Sequence, residues 1–290
     1  MCGIAGFFDK KNNSKIQNKK IGKNIIDTLK LRGPDHEGML CVENHGITFL
    51  HTRLSIIDLS INANQPMTSN SGRFIITFNG EIYNYLELKK ELKCLGHNFK
   101  TSSDTEVLLT SIEQWGLDVS LNKFIGMFAF AIYDKNLKEL TLVRDRFGEK
   151  PLYYASLNDS LIFGSELKAL KAHPDWLGNI DKDSLKLYLK YSYVPSPKSI
   201  YKNVYKLSPA TYIKFKITDK QCKEILQKKW YSTQLFTKPF KGTYKEALKL
   251  TEDLINKSVN YQKISDVPIG TFLSGGIDST LITSLMQNNT

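Results

Sequence analysis

The sequence has few cysteines, and none is placed to form a recognisable cross-link or zinc site. Its four cysteines, Cys2, Cys41, Cys94 and Cys222, are far apart and include no Cys-x-x-Cys pair. The five histidines also lack the spacing of metal ligands. We therefore expect neither a disulfide framework nor a transition-metal site.

Long apolar runs are missing as well. No segment approaches the roughly 18 consecutive apolar residues of a transmembrane helix, and the N-terminus lacks the basic-then-apolar order of a signal peptide. We expect a cytoplasmic protein with no membrane partner. The net charge is +11, but the lysines are spread along predicted helix surfaces and form no Arg-rich patch with aromatic residues. We therefore expect no nucleic-acid partner.

The 290 residues, 41% of them hydrophobic, are enough for one large domain or two ordinary ones. Periodicity indicates helices at about 18–30, 83–95 and 104–115. It indicates strands at 1–9, 47–52, 73–78, 127–134, 139–144, 152–155 and 161–163. Sheets covered by helices follow from this order, so we predict an α+β fold.

A second pattern begins after a polar stretch. We place a first domain at 2–215, a linker at 216–242 and the beginning of a second domain at 243–290. Within the last of these, spacing predicts an amphipathic helix at 244–262 and an apolar strand at 267–273. A glycine-bearing turn and the opening of another helix follow the strand.

The first residues contain a possible nucleophile. Removal of Met1 would make Cys2 the first residue, with its thiol beside a free α-amine. Such an amine has a pKa of about 7.7–8.0 and can act as a base near neutrality. The alternative is that Cys2 is a small buried hydrophobic residue.

The turn after the predicted strand 267–273 is of a type that binds phosphate. A strand, a glycine turn and a helix present backbone N–H groups and a positive dipole end to an anion. The turn has two adjacent glycines and two hydroxyls, of Ser274 and Ser279, but it lacks the lysine of a Walker A loop. Asp278 beside an anion suggests a bridging Mg²⁺. The alternative is an ordinary turn whose Asp or Ser caps the helix.

Six motifs occur in the order found in the glutamine-hydrolysing asparagine synthetases. They are Cys2–Gly6, Arg32–Asp35, His51–Asp58, Asn79–Asn84, Ser103–Asp104 and Ser274–Ser279. The chain resembles this family over essentially its whole length. The resemblance implies a four-layer αββα amidotransferase domain of the N-terminal-nucleophile type, followed by the start of an α/β ATP-pyrophosphatase-type domain.

The resemblance also implies roles for individual residues. Cys2 matches the position of the family's nucleophile, and Asn79 and Gly80 match the positions that form its oxyanion hole. Arg53 matches the residue that binds the glutamine α-carboxylate, and Glu81 and Asp104 match those that contact its ammonium group. The remaining glutamine contacts are the backbone of Leu54, Ser55, Ile56 and Ile57. The implied ATP-binding residues are Leu273, Ser274, Gly275, Gly276, Asp278 and Ser279.

Several of these residues also have structural interpretations. Arg53 could form a surface ion pair, and Asn79-Gly80 is the sequence of a common hairpin turn. Asp104 could cap the helix that follows it.

The activity implied by the resemblance is asparagine synthesis. Cys2 would hydrolyse glutamine without a cofactor, and the ammonia would amidate aspartate activated by ATP with Mg²⁺ as an acyl-adenylate, releasing AMP and pyrophosphate. The sequence stops soon after Ser279, so we expect this chain alone to retain only the glutaminase half, as a fragment, a truncated gene product or half of a split enzyme. A homodimer and a partner chain that completes the synthetase domain stay open. So do amidation of another carboxylate, such as a polysaccharide uronic acid, and a non-catalytic remnant or ammonia-supplying subunit.

Overall fold

The computed structural model describes residues 1–9, 15–42, 45–157, 160–218, 221–236 and 238–288. The chain divides into two units. The first consists of Met1–Ser55 and Ser60–Ser232, and the second of Ile56–Leu59 and Thr233–Thr290.

The first unit contains two antiparallel six-stranded sheets. The strands of the first sheet are β1 (Gly3–Asp9), β2 (His36–Val42), β3 (Ile47–Arg53), β8 (Tyr153–Leu157), β9 (Ser160–Gly164) and β10 (Val204–Lys206). Those of the second are β4 (Met67–Thr68), β5 (Phe74–Ile82), β6 (Gly126–Asp134), β7 (Glu139–Arg144), β11 (Thr211–Ile217) and β12 (Cys222–Lys229). The strand orders are β10-β8-β9-β1-β3-β2 and β12-β11-β7-β6-β5-β4. The helices are α1 (Lys15–Leu29), α2 (Tyr85–Cys94), α3 (Asp104–Lys123), α4 (Leu167–Lys171) and α5 (Lys182–Tyr191).

Strand β1 is buried on both faces, which fixes the order of the layers. Because side chains alternate along a strand, Ile4 and Phe8 point into the apolar core between the two sheets. Ala5 and Phe7 point the other way, into a second core formed with α1 and α4. Helix α3 packs on β5 of the second sheet, and α2 packs on α3. The first unit therefore has the four-layer αββα architecture implied by the resemblance.

The predicted helices and strands of this unit are present, with shifted ends. Helix α3 was expected to end near residue 115 but continues to Lys123, across a kink at Gly116, where φ is 75°. The interpretation of Asp104 as the cap of α3 is wrong. Ser103 is the N-cap, and its hydroxyl accepts from the backbone N–H of Thr105 at 3.1 Å. Asp104 is the first helical residue, so its carboxylate is available for other contacts.

Strand β12 lies inside the range expected to be a linker, 216–242. It pairs with β11 from Thr211 opposite Lys229 to Ile217 opposite Cys222. Trp230 follows it and is buried, with its ring 6.2 Å from that of Phe128. Residues 219, 220 and 237 of the expected linker lie outside the described residues.

The second unit contains helices α6 (Tyr244–Gln262) and α7 (Ile277–Asn288). Helix α6 begins and ends where the spacing predicts. Its start is fixed by a capping box that Thr243 and Glu246 form. The predicted strand at 267–273 is wrong: these residues form neither helix nor strand. A strand needs a neighbouring strand for its backbone hydrogen bonds, and the described part of this unit supplies none to these residues. Across the described residues, none of the helices has the length and apolar character needed to cross a bilayer.

Candidate active site

Cys2 lies immediately before β1, and the register of β1 brings it to the end of β3. Gly3 pairs with Thr52, so Cys2 reaches the residues that follow Arg53. The Cys2 Sγ accepts from the Leu54 N–H at 3.4 Å, and its S–H donates to the Leu54 carbonyl at 3.6 Å. Cys2 is half-buried and belongs to neither of the two apolar core clusters described above.

The main chain around Cys2 is fixed on both sides. The Arg32 Nε donates to the Cys2 carbonyl at 2.9 Å. Ser165 exchanges two hydrogen bonds with Ile4, at 3.0 and 2.8 Å. Between them, Gly3 has no room for a side chain, since a Cβ there would lie 2.5 Å from the Thr52 hydroxyl oxygen. The thiol is therefore presented from a tightly packed backbone.

Asn79 and Gly80 lie within β5, opposite Ala129 and Phe128 of β6, so the hairpin-turn interpretation is wrong. A Cβ at position 80 would lie 2.3 Å from the Met127 carbonyl, which explains the glycine. Asn79 is buried, and its Nδ2 has no hydrogen-bond partner. Leaving a buried donor unsatisfied costs about 1–3 kcal/mol, so this amide group is suited to a ligand oxygen.

Two carboxylates form the acidic part of the site. Asp104 is buried and accepts from the Ile82 N–H at 3.0 Å. Burial, with a smaller contribution from Glu81, raises the pKa of Asp104 to about 7. Burial also raises the pKa of Glu81, against the opposing effects of Lys150 and the N-terminal amine. Asp104 interacts electrostatically with the Cys2 thiol, and Glu81 with the N-terminal amine.

Arg53 is only 6% exposed, so it is not a surface ion-pair residue. Its Nη1 donates to the Ser60 carbonyl at 2.8 Å and to the Asn64 Oδ1 at 2.7 Å. Its charge interacts electrostatically with the Cys2 thiol. The guanidinium is therefore held in a fixed orientation within electrostatic reach of the nucleophile.

The stretch after Arg53 is divided between the two units. The Leu54 N–H bonds to the Cys2 sulfur, and the Ser55 N–H donates to the Asp35 carboxylate at 2.7 Å. Ile56 and Ile57 belong to the second unit. The first unit thus brings together Cys2, Arg53, Leu54, Glu81 and Asp104.

The acid–base properties of the N-terminus suit nucleophilic chemistry. Burial lowers the pKa of the Met1 α-amine, and the positive charges of Arg32 and Lys150 lower it further. Burial raises the pKa of the Cys2 thiol. A thiol with a raised pKa needs a base to become a nucleophile, and removal of Met1 would expose the Cys2 α-amine beside the thiol for that role.

Lys150 is a neighbour of this site that the motifs did not indicate. It is 5% exposed, and its ammonium interacts electrostatically with Glu81, Arg32 and Cys2. Burial lowers the pKa of Lys150. The sequence signal near Lys150 is the charged pair Arg144-Asp145 at the end of the largely buried strand β7. Charged side chains are rarely buried unless they are paired or bonded, so this pair could have indicated an ordered loop after the strand.

The loop Asp145–Lys150 is held by the side chains of that pair. The Asp145 carboxylate accepts from the backbone N–H groups of Phe128, Phe147, Glu149 and Lys150. The Arg144 guanidinium donates to the carbonyls of Gly148, Lys150 and Leu207. Lys150 therefore extends from an ordered backbone.

The glycine turn of the second unit precedes α7, as expected. Gly275 has a φ of 84°, which favours glycine, and the Ser274 and Ser279 hydroxyls are 3.0 Å apart. Leu273 and residues 274–278 of the turn are exposed, and Ser279 is half-buried. Within the described ranges no cluster of three or more His, Cys, Asp or Glu side chains could hold a metal ion. A single carboxylate such as Asp278 would not be enough to hold Mg²⁺. It fits the ion when substrate phosphates and waters supply the other ligands, which is the common arrangement for Mg²⁺.

Two family models match the chain. The model described as glutamine amidotransferase domain matches residues 1–231, and the one described as asparagine synthase matches residues 250–290. The first match ends after β12 and Trp230, within the range expected to be a linker.

Curated relatives match nearly the whole chain. Asparagine synthetase (glutamine-hydrolyzing) 1 of Bacillus subtilis is 38% identical over 99% of this chain and 44% of its own length. Asparagine synthetase (glutamine-hydrolyzing) 3 of the same organism is 36% identical over 98% of this chain and 45% of its own length. The chain thus spans less than half the length of these relatives.

A solved structure shares the fold. The glutamine phosphoribosylpyrophosphate amidotransferase from B. subtilis, complexed with ADP and GMP, aligns with a TM-score of 0.57 and 19% identity. The alignment covers 79% of this chain and 49% of that one.

Proposed function

The chain belongs to the glutamine amidotransferase domain family, and we propose that it hydrolyses glutamine at Cys2. The segment after this domain, residues 250–290, matches the asparagine synthase family. The observation that carries this proposal is the surroundings of the Cys2 sulfur. Cys2 is half-buried on a rigid backbone, and its thiol lies within electrostatic reach of an arginine, an aspartate and the Met1 α-amine. A nucleophile and charged side chains of both signs thus support binding of an amino acid, and removal of Met1 would add the Cys2 α-amine as the base.

Hydrolysis of the Met1–Cys2 peptide bond precedes the reaction; it releases methionine and leaves Cys2 with a free α-amine. This amine takes the thiol proton, and the sulfur attacks the side-chain amide carbon of glutamine. The resulting oxyanion accepts hydrogen bonds from the Asn79 Nδ2 and the Gly80 N–H. The unpartnered state of the Asn79 amide supports this role. Losing one such donor typically lowers the rate by about 10²–10³.

The second half of the reaction returns the thiol. The protonated amine gives its proton to the leaving nitrogen, and ammonia departs as the carbon–sulfur thioester forms. Water then attacks the thioester, the carbon–sulfur bond breaks, and glutamate leaves while the sulfur regains a proton. The same amine serves as base and then as acid in each half, as expected for an N-terminal nucleophile.

Glutamine recognition follows from charge. Arg53 pairs with the α-carboxylate of glutamine, for which a planar guanidinium is well shaped. Glu81 and Asp104 pair with its α-ammonium group, and the backbone of Leu54 and Ser55 supplies further contacts. Because the pKa of Asp104 is about 7, glutamine binding weakens as the pH falls below neutrality.

The test is release of glutamate and ammonia from glutamine by the purified chain, with mass spectrometry of its N-terminus. We expect active material to lack Met1, Cys2→Ala to abolish release, and Cys94→Ala to retain it, because Cys94 is exposed on α2. Active protein that retains Met1, or an active Cys2→Ala variant, would refute the proposal.

A second step, amidation of aspartate, is proposed from the match at residues 250–290. The turn Ser274–Ser279, with Leu273 before it, would bind the phosphates of ATP, and Asp278 would share Mg²⁺ with them. Mg²⁺ supplies charge neutralisation on the phosphates when it is bound. Asparagine and AMP formed from aspartate, ammonium and ATP would support this step. If glutamine is hydrolysed but no AMP appears, the second step is wrong for this chain and the first stands.

A further inference from the structure

Glu166 is connected to the nucleophile through one arginine. The Arg32 Nε donates to the Cys2 carbonyl at 2.9 Å, and the Nη1 of the same guanidinium donates to the Glu166 Oε1 at 2.9 Å. The side chains of Arg32 and Glu166 are 10% and 29% exposed, so this contact is largely shielded from water. The other carboxylate oxygen of Glu166 pairs with the Lys168 Nζ at 2.7 Å.

The residue before Glu166 fixes the same segment at a second point. Ser165 is fully buried, and it exchanges hydrogen bonds with the N–H and carbonyl of Ile4. Two consecutive residues after β9 therefore hold the start of β1, Ser165 directly and Glu166 through Arg32. The rigidity of Cys2 depends on this turn, which lies more than 160 residues away in sequence.

We propose that Glu166 is a positioning residue that acts through Arg32 to hold Cys2 in its reactive orientation. The inference rests on the proposed glutaminase function. A planar guanidinium with acceptors on two sides has one orientation, whereas loss of the carboxylate charge leaves Arg32 only neutral acceptors, which include the Cys2 carbonyl and the Met1 sulfur at 3.9 Å. Arg32 then holds the Cys2 carbonyl less firmly, and the thiol and α-amine lose their alignment. Misplacement of a reacting group by about 1 Å can reduce a rate by about 10²-fold.

The kinetic test compares Glu166→Gln, which keeps the shape and removes the charge, with Glu166→Asp, which keeps the charge. We expect Glu166→Gln to lower kcat for glutamine hydrolysis about tenfold and to change KM less than twofold, because other residues bind the α-groups of glutamine. Glu166→Asp should restore part of kcat. Lys168→Met is the matched control and should match the wild type, since it leaves the Arg32–Glu166 contact in place.

A double-mutant cycle tests whether the effect passes through Arg32. If it does, Arg32→Lys combined with Glu166→Gln lowers kcat no further than Arg32→Lys alone. Additive losses would overturn the proposal. An unchanged kcat in Glu166→Gln, or an equal loss in Lys168→Met, would also overturn it. Circular dichroism melting identifies any variant that has lost its fold. If Glu166→Gln is such a variant, kcat and the melting temperature of Glu166→Asp are measured instead, and a folded Glu166→Asp with unchanged kcat would overturn the proposal.

A readout without glutamine separates this inference from the proposed function. Iodoacetamide labelling, followed by mass spectrometry of each cysteine peptide, gives the labelling rate of Cys2 relative to exposed Cys94 in the same sample. We expect this ratio to fall several-fold in Glu166→Gln and to stay constant in Lys168→Met. A wild type that cannot hydrolyse glutamine would refute the proposed function, whereas an unchanged labelling ratio would refute the role of Glu166.

Discussion

Two buried polar residues of the first unit, Asn79 and Asp104, are stabilised less well than the protein around them. Asp104 is a carboxylate buried beside another carboxylate, and Asn79 has a buried amide donor with no partner. Each arrangement costs free energy in the absence of a ligand, because a buried charge or polar group loses its hydration. We propose that glutamine binds at these two groups, since its ammonium charge would offset the cost of Asp104 and its carbonyl oxygen would accept from Asn79.

Asp104 provides a prediction about pH. Its pKa is about 7 in the folded chain and near 3.8 when unfolded, so the folded state holds its proton more tightly between these values. Stability due to this group therefore falls as the pH rises from 4 to 7. We expect Asp104→Asn to be more stable than the wild type by about 1–4 kcal/mol at pH 8 and equally stable at pH 4, measured by denaturant unfolding.

The same substitution should raise the KM for glutamine at least tenfold, because the partner of the substrate ammonium is lost. Asp183→Asn, at an exposed aspartate on α5, is the control and should leave KM unchanged. Unfolding free energies of wild type and Asp104→Asn that stay parallel from pH 4 to pH 8 would contradict the interpretation.

At the scale of elements, two charged side chains bond the backbone N–H and carbonyl groups of the loop after β7, which has no helix or strand to satisfy them. Asp145 is fully buried and accepts from four backbone N–H groups, while Arg144 satisfies three carbonyls. This loop carries Lys150 toward the nucleophile, so its order affects both stability and the electrostatics of the site.

We expect Asp145→Ala to destabilise the first unit by about 3–5 kcal/mol, because several buried N–H groups would lose their acceptor. Denaturant unfolding followed by tryptophan fluorescence measures this, since the Trp230 N–H donates to the Arg144 carbonyl. Glu149→Gln, which keeps the backbone contacts, should change stability by less than about 0.5 kcal/mol. A loss below about 1 kcal/mol in Asp145→Ala would mean that other groups replace the carboxylate.

At the scale of the whole molecule, the two apolar cores described above lie within the first unit. One core fills the space between the sheets, and the other lies between the first sheet and helices α1 and α4. The first unit therefore has what a domain needs to fold alone.

This gives a prediction about truncation. We expect residues 1–232 to unfold cooperatively and to hydrolyse glutamine, since this length keeps β12 and Trp230. A chain of residues 1–217 should be much less stable, because it exposes the edge of β11 and removes the ring that stacks on Phe128. Calorimetry of both chains beside the full chain is the measurement. Equal melting temperatures of the two shorter chains would show that residues 218–232 contribute little.

The sequence by itself determined what depends on neighbouring residues and on recognisable motifs. The spacing of apolar residues located α1, α2 and α6, and the capping residues Thr243 and Glu246 fixed the start of α6. The motif order identified the family and the αββα fold, together with Cys2 as the residue to examine. Helices were predictable because their hydrogen bonds and caps are local.

Only the tertiary structure decided which distant residues meet. The register of β1 on β3 set Cys2 against Leu54, and two loops far along the chain brought Lys150 and Glu166 to the N-terminus. The same dependence explains the wrong strand at 267–273, because its strand-like residues pair with no strand in the described part of the chain. It also explains β12, whose polar residues pair with β11. Strand pairing and charge clusters join residues that are distant in sequence, so local composition does not encode them.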